Sequence, residues 1–143
     1  MKVNIKKLNP TRGLIPKYSS TGAAAFDLHA AITYEVIAPG AWLLIKTGLA
    51  MEIPEGYGMF ITPRSGLALK DGITIVNSPG LIDSDYRGEI GIILYNLSED
   101  PFEINKGDRI LKVEKVEFQE VEELSKTNRG TDGFGSTGIS TNI

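Results

Sequence analysis

The amino-acid sequence predicts an all-β protein, organised as one domain followed by a tail. Short apolar runs alternate with turn-forming residues at regular spacing, as at Pro39-Gly40 and at residues 54–56. No window repeats its apolar residues every 3.6 positions over the roughly ten residues that a helix needs. With 143 residues, 41% of them hydrophobic, the chain can bury one sizeable core. These observations favour a sandwich, a jelly roll or a barrel.

The expected strands follow one another with short connections. A segment at residues 23–31 is rich in alanine, but the β-branched residues after it favour an extended conformation over a helix. A single helical turn can form at residues 67–70, after Ser65-Gly66. The other strands are expected at residues 3–8, 42–46, 49–53, 57–62, 90–97, 102–104 and 109–118.

The stretch from residue 77 to 91 concentrates most of the chemistry. It lies between the apolar runs at 73–76 and 90–94, which predicts a β-hairpin. Asp83, Asp85 and Tyr86 lie at its tip. Because aspartate is common in turns for local backbone reasons, a surface hairpin whose acids only solvate a turn is also open on this stretch alone.

Composition changes after Phe118, so we divide the chain into a domain at 1–118 and an acidic connector with a Gly-rich arm at 119–143. We expect the arm to be mobile. Its backbone N–H groups, with two adjacent hydroxyls at 136–137, can bind phosphate, whereas the alternative is a flexible linker. Arg129 and Phe134 favour binding, because a linker needs neither a guanidinium nor an aromatic ring.

Two further positions carry possible site chemistry. Arg64 and Ser65, followed by Gly66, offer phosphate a cation, a hydroxyl and an approachable backbone, although a strand that ends in a turn would look similar. Asp27 is flanked by Phe26 and Leu28, and in a strand it points to the opposite face, which can be solvent or a site.

Composition excludes several classes of function. The formal net charge of −3 gives no basic surface for nucleic acid or an anionic membrane. The absence of cysteine and the single histidine, His29, exclude disulfides, thiolate catalysis, cysteine-ligated zinc and a multi-histidine metal site within one chain. The N-terminus has no apolar signal segment, and no run approaches the roughly 18 residues that cross a bilayer. We expect a soluble, cytoplasmic protein.

Five segments, in this order and at this spacing, resemble the five motifs of the trimeric all-β dUTPases (deoxyuridine triphosphate nucleotidohydrolases). They are AAAFDLHA, PRSGLALK, NSPGLIDSDYRGEIG, GDRILKV and RGTDGFGSTG, and together they span nearly the whole chain. The resemblance implies a distorted jelly roll, the dUTPase-like β-clip barrel. It also implies a homotrimer with shared active sites, in which the arm of one chain closes a neighbouring site.

The activity implied by this resemblance is hydrolysis of dUTP to dUMP and pyrophosphate. Water attacks the α-phosphate, and Mg²⁺ is bound to the triphosphate. Such a reaction limits the incorporation of uracil into DNA and supplies dUMP for dTMP synthesis. The implied partners are dUTP and two further copies of the chain, with no nucleic acid and no membrane.

The resemblance also assigns roles to residues. Asp83 matches the carboxylate that activates the attacking water, an assistance generally worth about 10² to 10⁴ in rate. Tyr86 matches the ring that packs under the deoxyribose, and Phe134 matches the ring that stacks on uracil. Asp27 matches an acid that holds waters of the Mg²⁺ shell rather than the metal itself. The expected substrate-binding residues are Arg64, Ser65, Gly66, Asn77, Gly80, Leu81, Ile82, Tyr86, Gly91, Arg129, Phe134, Gly135, Ser136 and Thr137.

The fourth motif departs from the family pattern, which usually continues GDRIAQL. This chain has GDRILKV, so that Leu111 takes the alanine position and Lys112 the glutamine position. Lys112 can contact phosphate, or it can face the trimer axis or solvent. The acid at Asp132 would repel a triphosphate unless it points away.

Two alternative functions remain open at this point. The first is a dCTP deaminase-like or bifunctional nucleotide enzyme of the same fold, against which the FGSTG sequence of the arm and the short chain argue. The second is a non-catalytic dUTP sensor, which the altered fourth motif keeps open. Release of ammonia from dCTP would identify the first, and binding of dUTP without turnover would identify the second.

Overall fold

The protein was analysed as a computed structural model, which describes residues 2–8, 13–114 and 117–132. These residues are mostly β-strand, which confirms the predicted all-β class. Their elements are β1 (Lys2–Lys7), β2 (Ala25–His29), β3 (Tyr34–Ile37), β4 (Trp42–Lys46), β5 (Leu49–Glu52), β6 (Gly58–Pro63), α1 (Ser65–Asp71), β7 (Ile73–Ile75), β8 (Gly80–Asp83), β9 (Gly91–Asn96), β10 (Phe102–Asn105), β11 (Arg109–Glu114) and β12 (Glu117–Glu120).

The strands form four small sheets, with the orders β12-β1-β5, β10-β3, β2-β11-β6-β8 and β4-β9-β7. In the third sheet β11 lies in the middle, antiparallel to both neighbours. Its Lys112 is paired with Asp27 of β2 on one side and with Thr62 of β6 on the other. This register brings the first and fourth sequence motifs together.

The core lies between these sheets and takes alternate residues from strands such as β1, β6 and β9. In β9, for example, Ile92 and Leu94 are buried, while Ile93 and Tyr95 on the other face are half-buried. Full burial of one such side chain contributes roughly 1.5 to 3 kcal/mol. The largest fully buried side chains include Ile5, Phe26, Leu28, Ile45, Met51 and Met59.

The two apolar runs that flank residues 77–91 pair with each other, as the hairpin prediction requires. Ile75 of β7 lies opposite Leu94 of β9 in an antiparallel ladder. We call residues 76–90, which join these strands, the hairpin loop. Part of the loop leaves the ladder, because β8 pairs with β6 in a different sheet, with Gly80 opposite Ile61. The loop therefore links two sheets and is wider than a simple turn.

The helix α1 is longer than the single turn expected. It runs over seven residues and ends at Gly72, which adopts the left-handed conformation at φ 63°. The N–H of Gly72 donates to the carbonyl of Leu67, and Lys70 lies in the last turn, where a cation is favourable. Among the described residues, no helix is long and apolar enough to cross a membrane.

The prediction of one strand over residues 109–118 is wrong, because the chain changes sheet within it. β11 pairs with β2 and β6, whereas β12 pairs in parallel with β1, with Val3 opposite Phe118. Both strands read as extended in the sequence, and an alternating pattern does not show that the partner strand changes. β12 also spans the boundary expected between residues 118 and 119.

Candidate active site

A cavity of about 200 Å³ lies beneath the hairpin loop, between β6, β7, β8 and β9. It is smaller than the roughly 300 to 1,000 Å³ of pockets that enclose a whole small ligand, so it suits a base and a sugar better than a complete nucleotide. Its lining includes eight residues expected at the site, namely Asn77, Gly80, Leu81, Ile82, Asp83, Tyr86, Gly91 and Arg129. Sequence reasoning therefore found most of this wall.

The remaining walls are apolar and come from the strands, through Ile61, Ile75, Ile90 and Ile92. Gly80, which also lines the cavity, is buried, and a Cβ atom there would lie 3.6 Å from the side-chain amide nitrogen of Asn77. The Asn77 amide therefore lies close to the backbone at Gly80. Because an amide offers both donors and an acceptor, Asn77 can read a planar ring whose edge carries both.

Tyr86 forms one side of the cavity and is held from two directions. Its hydroxyl donates to the backbone carbonyl of Glu89 at 2.9 Å. Gly88 lies against the ring, and a Cβ atom at that position would overlap the phenol. Burial raises the pKa of Tyr86, and the charge of Arg129 partly offsets this effect. The tyrosine therefore presents a neutral ring in a defined position.

Asp83 lines the cavity and is paired with Arg129. A guanidinium nitrogen of Arg129 donates to Asp83 Oδ2 at 2.5 Å and to Asp85 Oδ1 at 3.2 Å. The guanidinium carbon also lies 5.5 Å from the centre of the Tyr86 ring, within the range of a cation–π contact. The hydrogen bond to Asp83 is the main cause that raises the pKa of Arg129. The Asp83 side chain remains 48% exposed, so water can reach it.

The segment before Arg129 lies on the hairpin loop of the same chain. The Thr127 hydroxyl donates to the Asp85 carbonyl at 2.6 Å, and the Arg87 N–H donates to the Gly130 carbonyl at 2.7 Å. Asp132 meets Arg129 through its backbone carbonyl, which accepts from Arg129 Nε at 2.9 Å. The resemblance implies an arm from another chain, whereas here the start of the arm lies over the cavity of its own chain.

Four residues expected at the site lie outside the described part of the chain. They are Phe134, Gly135, Ser136 and Thr137. Their predicted contacts with base and phosphate therefore stay predictions.

Asp27 lies in a second region, where three cations surround it. It is 5% exposed, and its carboxylate lies 3.1 Å from Arg64 Nε, 3.6 Å from Lys112 Nζ and 3.7 Å from Arg109 Nη1. Arg64 also donates to the backbone carbonyl of Arg109 at 2.8 Å. We call Asp27, Arg64, Arg109 and Lys112 the cation cluster. With three positive charges against one negative charge, it suits an anionic ligand.

The two regions are separate within one chain. Neither Asp27 nor residues 64–66 line the cavity under the hairpin loop. Arg64 and Arg109 instead line a groove of about 310 Å³ that also includes Leu67 and Asp108. One chain therefore divides the expected site into a cavity with an acid and a groove with cations.

The carboxylates of the described residues do not fit a metal held by the protein alone. They contain no group of three or more histidine, cysteine or acidic residues placed to hold one ion. Asp27 has cations rather than acids as neighbours, so it fits a water-mediated contact better than direct coordination.

Sequence reasoning gave no role to Arg109, Asp85 and Arg87 and left the role of Lys112 open. The register of β11 beside β2 could have suggested the roles of Arg109 and Lys112, because it places them opposite His29 and Asp27, respectively. Asp85 and Arg87 have no local signal beyond their place in the loop. Their partners come from the distant segment 125–130.

The comparisons with known proteins all point to one family. A family model described as dUTPase matches residues 11–138. The deoxyuridine 5'-triphosphate nucleotidohydrolase of Nautilia profundicola is 56% identical over 143 residues, covering 96% of this chain and 99% of the relative. That of Wolinella succinogenes is 51% identical over 145 residues, covering 98% of this chain and 96% of the relative.

Solved structures show the same fold. A mutant dUTPase of Staphylococcus bacteriophage 80alpha with dUpNHpp matches with a TM-score of 0.71 and 29% identity, covering 96% of this chain and 98% of the phage chain. A mutant dUTPase of phage phi11 of S. aureus, described with a structural Mg(II) ion, matches with a TM-score of 0.71 and 24% identity. It covers 88% of this chain and 96% of its own, and at that identity it shows the fold alone. The family model and the relatives together establish that this chain belongs to the dUTPase family.

Proposed function

We propose that the cavity under the hairpin loop binds the deoxyuridine part of dUTP and that Asp83 activates the attacking water. Hydrolysis of dUTP to dUMP and pyrophosphate is the activity that family membership assigns to this chain, which makes it a dUTP diphosphatase. The observation that carries the proposal is Asp83, which lines a cavity of nucleoside size with both polar and apolar walls and has a side chain that is 48% exposed.

In the proposed step, a water molecule transfers a proton to Asp83 while its oxygen bonds to the α-phosphorus. The bond from the α-phosphorus to the oxygen that bridges the α- and β-phosphates then breaks, and pyrophosphate leaves. Asp83 Oδ2 is bonded to Arg129 without substrate, and we propose that Arg129 leaves this oxygen when the nucleotide binds. The triphosphate gives the guanidinium a new partner, so that binding of substrate frees the base.

The cavity explains why uracil and deoxyribose would be selected. Tyr86 is held by Glu89 and backed by Gly88, and we propose that its ring packs under the deoxyribose and excludes a 2′-hydroxyl. We propose that the wall at Gly80 and Gly91, which line the cavity, excludes the 5-methyl group of thymine. Cytosine would present a donor where uracil presents an acceptor, and a buried mismatch of this kind discriminates strongly.

The cation cluster, with Ser65 and Gly66 beside it, would bind the triphosphate. When bound to the phosphates, Mg²⁺ would neutralise part of the negative charge that develops on the leaving pyrophosphate. We propose that Asp27 contacts this ion only through water, and only when Arg64 and Lys112 turn from Asp27 to the phosphates. Asp27 thereby keeps the cations together when no nucleotide is bound.

A complete site would need more than one chain, because the cation cluster does not line the cavity. We propose a homotrimer in which the hairpin loop of one chain lies beside the cation cluster of a second. Exposed apolar side chains, such as Trp42 at 64% and Leu97 at 67%, are available to be covered in such an assembly. We also propose that residues 119–143 serve as connector and arm. In the trimer, the arm of one chain would take on the hairpin loop of a neighbouring chain the place that residues 125–130 have here on their own loop, closing that active site with Phe134 on uracil.

The first test measures pyrophosphate release from dUTP, dTTP, dCTP and UTP at equal concentration with Mg²⁺. Turnover of dUTP alone is the expected result. Turnover of dCTP with release of ammonia would replace the proposal by a deaminase or bifunctional enzyme. Tight binding of dUTP without any turnover would replace it by a sensor.

The shared site has a separate test in mixed trimers of two inactive chains. Asp83→Asn chains and Arg64→Ala chains are co-expressed with different tags, and mixed trimers are purified by both tags. If the hairpin loop and the cation cluster of one site come from different chains, about one in three sites of each mixed trimer regains both groups. Mixed trimers that remain as inactive as either parent would contradict the shared site.

A further inference from the structure

Arg87 joins the hairpin loop to the segment that leads into the arm. Its Nη1 donates to the carbonyl of Ser84 at 2.6 Å and to that of Tyr86 at 3.1 Å. Its Nε donates to the carbonyl of Ser125 at 2.9 Å, and its Nη2 donates to the Ser125 hydroxyl at 3.2 Å. The side chain is only 11% exposed. A single guanidinium thus holds two segments that are far apart in sequence.

Glu52 fixes this guanidinium to a rigid sheet. Its Oε1 lies 3.5 Å from Arg87 Nη2 and accepts a hydrogen bond from the Ser125 hydroxyl. Its other oxygen accepts from Asn4 Nδ2 at 3.0 Å, and Asn4 lies directly opposite Glu52 in the pairing of β1 with β5. The hydrogen bonds from Asn4 and then Ser125 lower the pKa of Glu52. The carboxylate therefore stays charged and in place.

The same contacts hold the chain on both sides of Arg129. Ser125 is held by the Arg87 side chain, and the Gly130 carbonyl accepts from the Arg87 backbone N–H at 2.7 Å. Between them, the Thr127 hydroxyl donates to the Asp85 carbonyl and accepts from the Gly130 N–H at 2.9 Å. The backbone that carries Arg129 is therefore held in place, which fixes the position from which its side chain contacts Asp83.

We propose that Arg87 is a positioning residue for the reaction and acts through Arg129. It does not line the cavity, so it touches neither base nor sugar there. By fixing residues 125–130 against the hairpin loop, it sets where the Arg129 guanidinium lies, first on Asp83 and then on the triphosphate. This inference rests on the proposed roles of Asp83 and Arg129, and it adds a residue that the five motifs give no role.

The test compares the full-length chain with Arg87→Gln, Arg87→Lys and Ser125→Ala. Lys7→Gln is the matched control, because it removes a cation from a more exposed ion pair, with Glu120 at 3.3 Å. Each protein is assayed for kcat and KM of pyrophosphate release, for its melting temperature, and for the rate of trypsin cleavage after the exposed Lys126. The cleavage rate reports whether Arg87 still holds residues 125–130 on the hairpin loop, and it does not depend on activity.

We expect Arg87→Gln to lower kcat/KM by about 10- to 100-fold, since a small misplacement of a charge-stabilising group costs this much. Trypsin cleavage after Lys126 should become about 10-fold faster, as expected when a local contact is lost. Arg87→Lys should recover only part of either effect, because an ammonium cannot form the same planar set of bonds. Ser125→Ala should show a smaller loss, and combining it with Arg87→Gln should add little. Lys7→Gln should match the parent.

Other outcomes separate the two proposals. If trypsin cleaves the Arg87→Gln variant faster but the variant keeps the parental kcat and KM, the positioning role is wrong. If its activity falls only in proportion to unfolded protein, with unchanged cleavage below the melting temperature, Arg87 is merely structural and the inference also fails. If Arg87→Gln does not fold, Ser125→Ala, on an exposed residue, decides by the same readouts. A parent chain without turnover would overturn the proposed function. The cleavage rate would still test whether Arg87 holds residues 125–130 on the hairpin loop.

Discussion

At the hairpin loop one cation faces two carboxylates, whereas in the cation cluster one carboxylate faces three cations. Arg129 bonds Asp83 and Asp85 where both acids are about half exposed, at 48% and 55%. Asp27 is almost fully buried while it pairs with Arg64, Arg109 and Lys112. The two regions therefore have opposite charge balance and opposite solvent exposure.

This difference assigns them different tasks toward a triphosphate. Exposed ion pairs contribute roughly 0 to 1 kcal/mol, so Arg129 can exchange its carboxylates for phosphate at small cost. A buried carboxylate is costly to leave unpaired, so Asp27 keeps a preformed set of cations in place. On binding, Arg129 would leave its carboxylates, whereas the cluster has its three cations gathered around Asp27 before the ligand arrives.

The largest expected effect comes from removing the base in the cavity. Asp83→Asn should lower kcat by about 10² to 10⁴, because general-base assistance is worth that much. Binding of a non-hydrolysable dUTP analogue, measured by calorimetry, should persist because the walls are unchanged. Asp100→Asn, in an exposed turn, is the matched control. Parental turnover in Asp83→Asn would remove Asp83 from its role.

The next effect is on stability and would test the cluster. Asp27→Asn should lower the free energy of unfolding by about 2 to 4 kcal/mol, since three cations lose their buried counter-ion. Urea unfolding measures this loss. Pyrophosphate should restore more stability to the variant than to the parent, because it replaces the missing negative charge. Equal stabilisation of both proteins would show that the cluster does not bind phosphate.

A smaller effect should follow from restoring the family's usual residue in the fourth motif. Lys112→Gln should raise KM for dUTP about 3- to 10-fold at low salt and leave kcat nearly unchanged, because one fewer cation attracts the triphosphate. The difference should shrink at high salt. Lys70→Gln, which removes a charge from the exposed end of α1, is the control. An unchanged KM at low salt would exclude Lys112 from the phosphate site.

The smallest effect concerns pH and the acid beneath the arm. The pKa of Glu52 is held below its ordinary value of 4.5, first by Asn4 and then by Ser125. Its contribution to stability is therefore complete above about pH 4.5 and is lost as pH falls through the lowered pKa. Glu52→Gln should remove this part of the acid sensitivity, less than about 1 kcal/mol for a half-buried group. Urea midpoints between pH 3 and pH 6 measure it, and parallel curves would contradict it.

Sequence alone located the cavity well, because its residues are nearly contiguous. Asn77, Gly80, Asp83, Tyr86 and Gly91 lie within fifteen positions, so one motif carries them all. The all-β class likewise followed from short apolar runs and turns.

Contacts between distant segments could not be predicted in the same way. The pairing of Asp27 with Lys112 depends on the register of two strands, and the contacts of Arg87 depend on where the chain runs after β12. The division of residues 109–118 between two sheets left no mark in the alternating pattern. Local patterns report local conformation, whereas these features depend on partners chosen elsewhere in the chain.

Gly88 extends the control of sugar selectivity beyond the residues that can meet the nucleotide. It is buried behind Tyr86, and any side chain there would overlap the phenol. A methyl group would drive the ring toward the cavity and away from its bond to Glu89. Searches for variants that accept altered sugars should therefore randomise position 88 together with position 86. The residue at position 88 sets how far the Tyr86 ring extends into the space for the pentose.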